Sequence, residues 1–112
     1  MTYKQFDVVV VPFPFTDSAK QKRRPAVVLS ENGAFNGQIG HSVMAMITSE
    51  KNVPWPLDVP LTNLGQAGLT AASVVRMKLF TLDHRFVMGT VGSLSIVDQE
   101  AVRHSLRKLI HC

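Results

Sequence analysis

The sequence predicts a mainly β domain, a small barrel or strongly bent sheet of about five to seven short strands with one C-terminal α-helix. Short β-branched runs, bounded by glycine, proline and polar residues, recur along the chain without the helices that a βαβ rhythm would place between them. The 112 residues are 46% hydrophobic and 18% charged, which suits a single domain spanning 1–112 with a packed core and a minor helical part.

The first two strands are predicted on either side of a basic loop. The run "FDVVVV" (6–11) is continuous and β-branched, which is typical of a strand buried on both faces. The "PFPF" that follows is expected to end its pairing, because proline has no N–H to donate. Residues 16–24 are mostly polar and predict a loop. The second strand, "PAVVLS" (25–30), is expected to begin at Pro25, where a missing donor is tolerated.

The middle of the chain predicts a turn region and four further strands. Glycine and asparagine enrich residues 31–42, which indicates a long turn. A third strand is expected at "VMAMIT" (43–48), and "LDVPLT" (57–62) alternates inward Leu and Val with polar or proline positions. The segments "SVVRMKLFTL" (73–82) and "FVMGTVG" (86–92) predict an antiparallel pair joined by "DHR".

The last segment predicts a helix. Ser95 followed by Asp98 is a capping-box pattern, in which the serine hydroxyl accepts from free N–H groups at a helix start. One apolar stripe then recurs at helical spacing, through Val102, Leu106, Leu109 and Ile110.

The composition indicates a soluble protein of a reducing cytoplasm. The single cysteine, Cys112, allows no disulfide framework and no Cys-based zinc site. The polar N-terminus does not resemble a secretory signal. The longest apolar run, 8–15, is shorter than the roughly 20 residues of a membrane span, so no membrane association is expected.

Cofactor chemistry is not expected from the motifs. The four histidines are scattered, and none has a ligand partner at the spacing of a metal site. Phosphate-binding glycine loops and the nucleophile motifs of serine and cysteine hydrolases are absent from the sequence. We therefore expect neither a metal nor another cofactor.

The net charge of +4 favours an anionic partner. Lys20, Lys22, Arg23 and Arg24 lie within five residues, beside a predicted strand. Arginine can hold phosphate oxygens with a planar fork, whereas lysine contributes a mobile point charge. An ordinary solvated loop is the alternative for the cluster as a whole. Arg24 differs from the others because Pro25 and the strand restrict it.

Two more segments carry candidate phosphate-binding groups. Thr48 and Ser49 end the third strand, where hydroxyls can contact a phosphate, although such residues also simply finish strands. Arg76 and Lys78 project from one face of the fifth strand, although an exposed sheet face often carries such residues. Two arginines and a hydroxyl from three strands meeting at one place would indicate a site for a phosphate.

Together these segments resemble the PemK/MazF family of toxins from type II toxin–antitoxin modules. The similarity runs in collinear order from about Phe6 to Ile110. It is carried by the runs "FDVVVVPFPFTD", "KRRPAVVLS", "ITS", "AGL", "SVVRMKLFTLD" and "VGSLSIVDQEAV".

The resemblance implies a compact SH3-like barrel that forms a homodimer. It implies a metal-independent, sequence-specific endoribonuclease that cleaves single-stranded RNA such as mRNA. In the implied reaction a ribose 2′-OH attacks the adjacent phosphate and gives a cyclic phosphate and a free 5′-OH. A cognate antitoxin with an acidic tail is implied as the protein partner.

The match also implies roles for individual residues. The catalytic arginine of the family falls on Arg24, its catalytic threonine on Thr48, and a second catalytic basic residue on Arg76. Because arginine is effectively always protonated, we expect both arginines to stabilise charge on the phosphate rather than act as bases. Neighbouring residues expected to bind RNA are Lys20, Lys22, Arg23, Ser49, Lys51 and Lys78.

The sequence departs from the family pattern at the group that would transfer protons. Some relatives carry a carboxylate shortly after the second arginine, where this chain has Met77 and Lys78. Phe6 also replaces the glycine of the usual Gly-Asp-Val strand. The candidates for proton transfer are Asp17 and Asp83, with Glu50 and His84 behind them.

Two alternatives share the same fold. One is a non-catalytic barrel that binds DNA together with its antitoxin, or poisons DNA gyrase through the chain end from Leu109 to Cys112. The other is a degenerate member that keeps the fold and antitoxin binding but has lost the chemistry. Fold alone does not separate these functions.

Overall fold

Six strands form one antiparallel sheet in the computed structural model, which describes residues 2–13 and 22–111. The sheet curls into a half-barrel, and its strand order is β4-β5-β3-β2-β1-β6. The strands are β1 (Asp7–Phe13), β2 (Lys22–Val28), β3 (His41–Ser49), β4 (Val59–Pro60), β5 (Ser73–Asp83) and β6 (Gly89–Ser93). The helices are α1 (Gly37–Ile39), α2 (Leu64–Ala67) and α3 (Ile96–Leu109), with a π-helical turn at Asn32–Asn36 and a 3₁₀ turn at His84–Phe86. The predicted fold class, mainly β with a C-terminal helix, is confirmed.

The sheet buries apolar side chains on both of its faces, because successive residues of a strand point to opposite sides. One face packs against Val102 and Leu106 of α3. The opposite face has its own buried cluster, formed by Tyr3, Val9, Val11, Ala26, Val28, Met44, Met46 and Leu82. This second face leads to the candidate site, since Met46 belongs to both.

The first two strands are longer than the sequence predicts, and both contain a proline. β1 continues through Pro12, which is paired with Arg23, and β2 begins at Lys22, so that Pro25 lies inside it. The expected end of pairing at "PFPF" and the expected strand start at Pro25 are therefore wrong. The Val10 carbonyl accepts from Met88 N–H, so the backbone groups of Val10 face the β6 side of β1. Pro12, two residues later, faces the same side, but the β1–β6 pairing ends at Val10. The nitrogen of Pro25 faces β3, but the pairing of β2 with β3 starts only at Ala26. No ladder hydrogen bond therefore requires an N–H group from either proline.

The predicted pairing of 73–82 with 86–92 is also wrong. β5 pairs with β3 and β4, whereas β6 pairs with β1 at the other end of the strand order. The connection "DHR" lacks the glycine or asparagine that a tight hairpin turn favours. Instead the Asp83 side chain accepts from Arg85 N–H at 2.8 Å and starts the 3₁₀ turn, which redirects the chain toward β1.

Two other segments differ from expectation in detail. The predicted turn region 31–42 holds the π-helical turn and α1, and its last two residues belong to β3. The Glu31 carboxylate caps the π-helical turn by accepting from Ala34 N–H. α1 ends at Gly40, where φ is +70°. Of the strand predicted at 57–62, only Val59–Pro60 forms a strand, β4. Leu57 has a φ of 69° and is not in the extended conformation. No helix of the described residues is long and apolar enough to cross a membrane.

α3 confirms the predicted helix and adds a contact that the capping pattern does not contain. Ser95 caps the helix by accepting from Asp98 N–H at 3.3 Å. The Asp98 carboxylate, only 1% exposed, accepts from the backbone N–H groups of Thr62 and Asn63 and from the Thr62 hydroxyl. This carboxylate therefore ties the start of α3 to the segment after β4.

We predict that Asp98→Ala lowers the free energy of unfolding by about 3 kcal/mol, because two N–H groups and one hydroxyl lose a charged acceptor that is itself buried. Urea unfolding followed by far-UV circular dichroism measures the change. Glu100→Gln, on the exposed side of the same helix, is the control and should shift stability by less than about 0.5 kcal/mol. Equal stability of the Asp98→Ala variant and the wild type would contradict this role.

Candidate active site

A pocket of about 180 Å³ opens on the face of the sheet that carries the second apolar cluster. It combines a hydroxyl, three cationic side chains and two aromatic rings. Its lining residues are Phe13, Arg24, Met46, Ile47, Thr48, Trp55, Arg76 and Lys78. The structure therefore brings Arg24, Thr48 and Arg76 together, as the sequence predicts for a phosphate site.

The pairing of β3 explains why these three residues meet. Met46 of β3 lies opposite Ala26 of β2 on one side and opposite Arg76 of β5 on the other. Arg24 is two residues before Ala26, and Thr48 is two residues after Met46. Residues two apart on a strand share a face, so all three side chains point to the same side of the sheet.

An irregularity in the β3–β5 ladder adds a third cation to the pocket. The partner of Ala45 is Leu79, whereas the partner of Met46 is Arg76, so β5 has two extra residues at this point. Such a bulge bends a strand and redirects its side chains. One of the extra residues is Lys78, which lines the pocket beside Arg76.

Arg76 is held in place by a carboxylate and a carbonyl. Its Nε donates to Oδ1 of Asp58 at 3.2 Å, and its Nη2 donates to Oδ2 of Asp58 at 3.0 Å and to the Val53 carbonyl at 2.9 Å. The side chain of Arg76 is only 11% exposed, and that of Asp58 only 13%. Because a paired fork fixes both the distance and the plane of a guanidinium, Arg76 has a defined orientation.

The environment of Asp58 keeps its carboxylate ionised. Burial alone would raise its pKa, but the hydrogen bonds from Arg76 and from Trp55 N–H, together with the positive charge of Arg76, outweigh burial and hold the pKa below the usual 3.8. A carboxylate with a lowered pKa accepts a proton poorly at neutral pH. Asp58 is therefore suited to hold Arg76 and not to act as a general base.

Aromatic rings flank the cations of the pocket. The Arg76 guanidinium carbon lies 4.9 Å from the centre of the Trp55 ring. Lys78 Nζ lies 4.9 Å from the centre of the Phe13 ring and 6.0 Å from that of Trp55. These distances are within the range of cation–π attraction.

Thr48 is oriented by a neighbour in the following turn. Its Oγ1 accepts from Asn52 Nδ2 at 2.6 Å, so the hydroxyl hydrogen of Thr48 is directed elsewhere and can be donated to a ligand. The turn also contains Ser49, whose hydroxyl accepts from Lys51 N–H at 3.2 Å. Ser49 and Lys51 are exposed beside the pocket and do not line it.

Arg24, like Lys78, is an exposed cation of the pocket. It lies in β2 opposite Val11, and no carboxylate of the described residues forms an ion pair with it. Lys22 and Arg23 are exposed in the same strand and do not line the pocket. The prediction of a loop over 16–24 is therefore wrong for its last three residues, which pair with β1.

The other candidates for proton transfer lie apart from this pocket or outside the described residues. Asp83 and His84 are at the far end of β5, about 20 Å from Arg76 along an extended strand. The pKa of Asp83 is lowered by its hydrogen bonds with Arg85. Glu50 is exposed and does not line the pocket. Asp17 and Lys20 lie outside the described residues.

Four residues of the site were missed in the sequence. Phe13, Asn52, Trp55 and Asp58 carry no motif that assigns them to a phosphate site, and three of them come from the connection between β3 and β4. The only tryptophan of the chain, set between two prolines, is the one local pattern that could have drawn attention to this connection. Within 2–13 and 22–111, no group of three or more His, Cys, Asp or Glu side chains could hold a metal ion.

The curled antiparallel sheet with a C-terminal helix places this chain in the MazF-like fold. The family described as "PemK-like, MazF-like toxin of type II toxin-antitoxin system" matches residues 4–110. The chain belongs to this family. A comparison with curated protein sequences gives no match.

Solved structures agree with this assignment. A chain in the crystal structure of MazE-MazF (Form-III) from Deinococcus radiodurans is 26% identical, with a TM-score of 0.75 over 97% of this chain and 96% of that one. MazF (Form-I) from the same organism is 25% identical, with a TM-score of 0.73 over 97% and 96%. An endoribonuclease in complex with its cognate antitoxin from Mycobacterial species shares the fold at 14% identity, with a TM-score of 0.72 over 96% and 91%.

We predict that the Arg76–Asp58 pair persists as pH falls from about 8 to about 5 and breaks only below the ordinary carboxyl pKa of 3.8. The folded-state pKa of Asp58 is lowered, so the stability that the pair contributes is present above the unfolded-state value and is lost as pH falls through the folded-state value. The fluorescence of Trp55, the only tryptophan, follows the pair as a function of pH. Asp58→Asn is the control and should lack this transition. A wild-type transition centred above pH 5 would contradict the lowered pKa.

Proposed function

We propose that this chain is a metal-independent endoribonuclease that cleaves single-stranded RNA at short sequences within the pocket. The observation that supports the proposal most directly is the meeting of Arg24, Thr48 and Lys78 beside the fixed Arg76. Membership of the PemK/MazF-like toxin family adds support, and two solved structures of this fold are named endoribonucleases.

In the proposed reaction the ribose 2′-OH attacks the adjacent phosphorus atom and the bond from phosphorus to O5′ breaks. Arg24 neutralises the negative charge that builds up on the non-bridging oxygens. The Thr48 hydroxyl donates to one of these oxygens, while Asn52 keeps it in position. The products are a 2′,3′-cyclic phosphate and a free 5′-OH.

Two proton transfers complete the reaction. In this proposal the 2′-OH proton leaves to solvent, because Asp58, the carboxylate that the described residues place beside the pocket, has a lowered pKa and is occupied by Arg76. Lys78 lines the same pocket, and its ammonium donates a proton to the departing O5′. Arg76, whose charge is compensated by Asp58, holds one wall of the pocket in place.

The same chemistry suggests the protein partner and the setting. An acidic antitoxin segment would place carboxylates on the exposed Arg24 and on the neighbouring Lys22 and Arg23. We further propose that the protein works as a homodimer in the cytoplasm, as the family resemblance implies. An antitoxin that covers these cations would exclude RNA from the pocket.

We predict that Arg24→Ala lowers the rate of RNA cleavage at least about 100-fold with EDTA present, and that Thr48→Ala lowers it about tenfold or more. The measurement is gel analysis of a single-stranded RNA of several hundred nucleotides. Arg107→Ala, which removes an exposed arginine of α3, is the matched control and should cleave like the wild type.

The contrary outcomes are specific. Cleavage that survives both Arg24→Ala and Thr48→Ala would place the chemistry outside this pocket. Cleavage that requires a divalent metal would contradict the proposed reaction. Toxicity that depends on the last four residues of the chain, and not on Arg24, would favour the gyrase alternative.

A further inference from the structure

We propose that Trp55 is the platform on which one unpaired nucleobase of the substrate stacks, and that Asp58 and Arg76 are positioning residues that hold it there. The inference rests on the proposed function in one respect, namely that the substrate is RNA. It changes the role of Arg76 from a catalytic group to an anchor of the segment 53–58.

The hydrogen bonds of Arg76 support its role as an anchor. A guanidinium has five N–H donors, one on Nε and two on each Nη atom. Asp58 takes the Nε donor and one on Nη2, and the Val53 carbonyl takes the second on Nη2. Both acceptors belong to the segment 53–58. The side of Arg76 that could grip a phosphate with two parallel bonds from Nε and Nη2 is therefore occupied.

Trp55 is fixed by the same carboxylate. Asp58 Oδ2 accepts from the Trp55 backbone N–H at 3.0 Å and from Arg76 Nη2, whose guanidinium lies against the indole ring. Pro54 and Pro56 flank the tryptophan and restrict its backbone dihedrals. The ring is thus held at its backbone and at one face before any ligand arrives, which lowers the entropy cost of binding.

The exposure of Trp55 indicates that the ring serves a ligand and not the core. Trp55 is 43% exposed, although it lines the pocket. Aromatic rings of this kind stack with nucleobases, because every base has a π-face. The cations Arg24 and Lys78 line the same pocket, so a base stacked on the ring would have its phosphate near positive charge.

The size of the pocket limits the ligand to about one nucleotide. Its volume of about 180 Å³ is below the roughly 300 Å³ at which pockets for whole drug-sized ligands begin. A base inside a duplex is already stacked on both faces, so it is not available to Trp55. The platform therefore selects unpaired nucleotides, which gives a physical reason for single-strand preference.

Because Trp55 is the only tryptophan of the chain, its fluorescence reports directly on contact between its ring and a ligand. The probe is a random-sequence 2′-O-methyl RNA decamer, which lacks the nucleophile and is not cleaved. We expect saturating decamer to quench Trp55 fluorescence. Affinity, measured by anisotropy of a dye-labelled decamer, should fall about tenfold in Trp55→Leu and stay within about threefold in Trp55→Phe. In cleavage assays Trp55→Leu should raise KM while kcat changes less than about threefold.

The positioning role is tested by Asp58→Asn, which removes the charge but keeps the shape. We expect acrylamide to quench Trp55 more strongly in this variant, and the decamer to bind about three- to tenfold more weakly. Glu100→Gln breaks the exposed Arg103–Glu100 pair on α3 and is the matched control, with wild-type quenching and affinity. Arg76→Lys should resemble Asp58→Asn, because lysine cannot form the bidentate pair. If Asp58→Asn does not fold, Arg76→Lys provides the second test of the Arg76–Asp58 pair.

The results separate the inference from the proposed function. Unchanged Trp55 fluorescence on decamer binding, or wild-type affinity of Trp55→Leu, would overturn the platform while leaving cleavage by Arg24 intact. Quenching by poly-glutamate but not by the decamer would also overturn it, and would assign the ring to a protein partner. Wild-type acrylamide quenching in both Asp58→Asn and Arg76→Lys would overturn the positioning role. Decamer quenching in a protein that cleaves no RNA would support the platform and contradict the ribonuclease.

Discussion

The pocket depends on the position of β3 between β2 and β5. Because β3 pairs on both sides, residues that are distant in the chain become neighbours on one face, and Arg24, Thr48 and Arg76 are brought together. The buried cluster on this face supports the floor of the pocket through Met46. The bulge in β5 then places Lys78 beside Arg76. The backbone ladder, rather than any single side chain, therefore sets the geometry of the site.

The same ladder brings like charges together, and Asp58 reduces the repulsion between them. Three cations line a pocket of about 180 Å³, and like charges this close repel one another. Asp58 compensates the charge of Arg76 and fixes its orientation, so within the described residues the pocket cations without a carboxylate partner are Arg24 and Lys78. A dianionic transition state at phosphorus would meet those two charges. The chain has no carboxylate directly after Arg76, but Asp58 of the β3–β4 connection contacts this arginine as its ion-pair partner.

Much of this arrangement could be predicted from the sequence, and the failures have physical causes. The strand runs, the α3 cap at Ser95 and the basic and hydroxyl groups of the pocket follow from local periodicity and from residue chemistry. The ends of β1 and β2 were mispredicted, because a proline can lie inside a strand wherever its nitrogen faces no paired strand. Pro12 and Pro25 both lie in such positions. Asp58 and Trp55 could not be placed either, since only the fold brings their connection against β5.

The central claim is that the side chains of this pocket direct a ribose 2′-OH onto the adjacent phosphate without a metal. Mass spectrometry of the fragments from one short single-stranded RNA, cut by the wild-type protein in EDTA, tests it most directly. The account predicts that each upstream fragment ends in a 2′,3′-cyclic phosphate and each downstream fragment begins with a 5′-OH. Fragments with a 3′-OH and a 5′-phosphate would show attack by water at the other side of phosphorus, and would contradict the account.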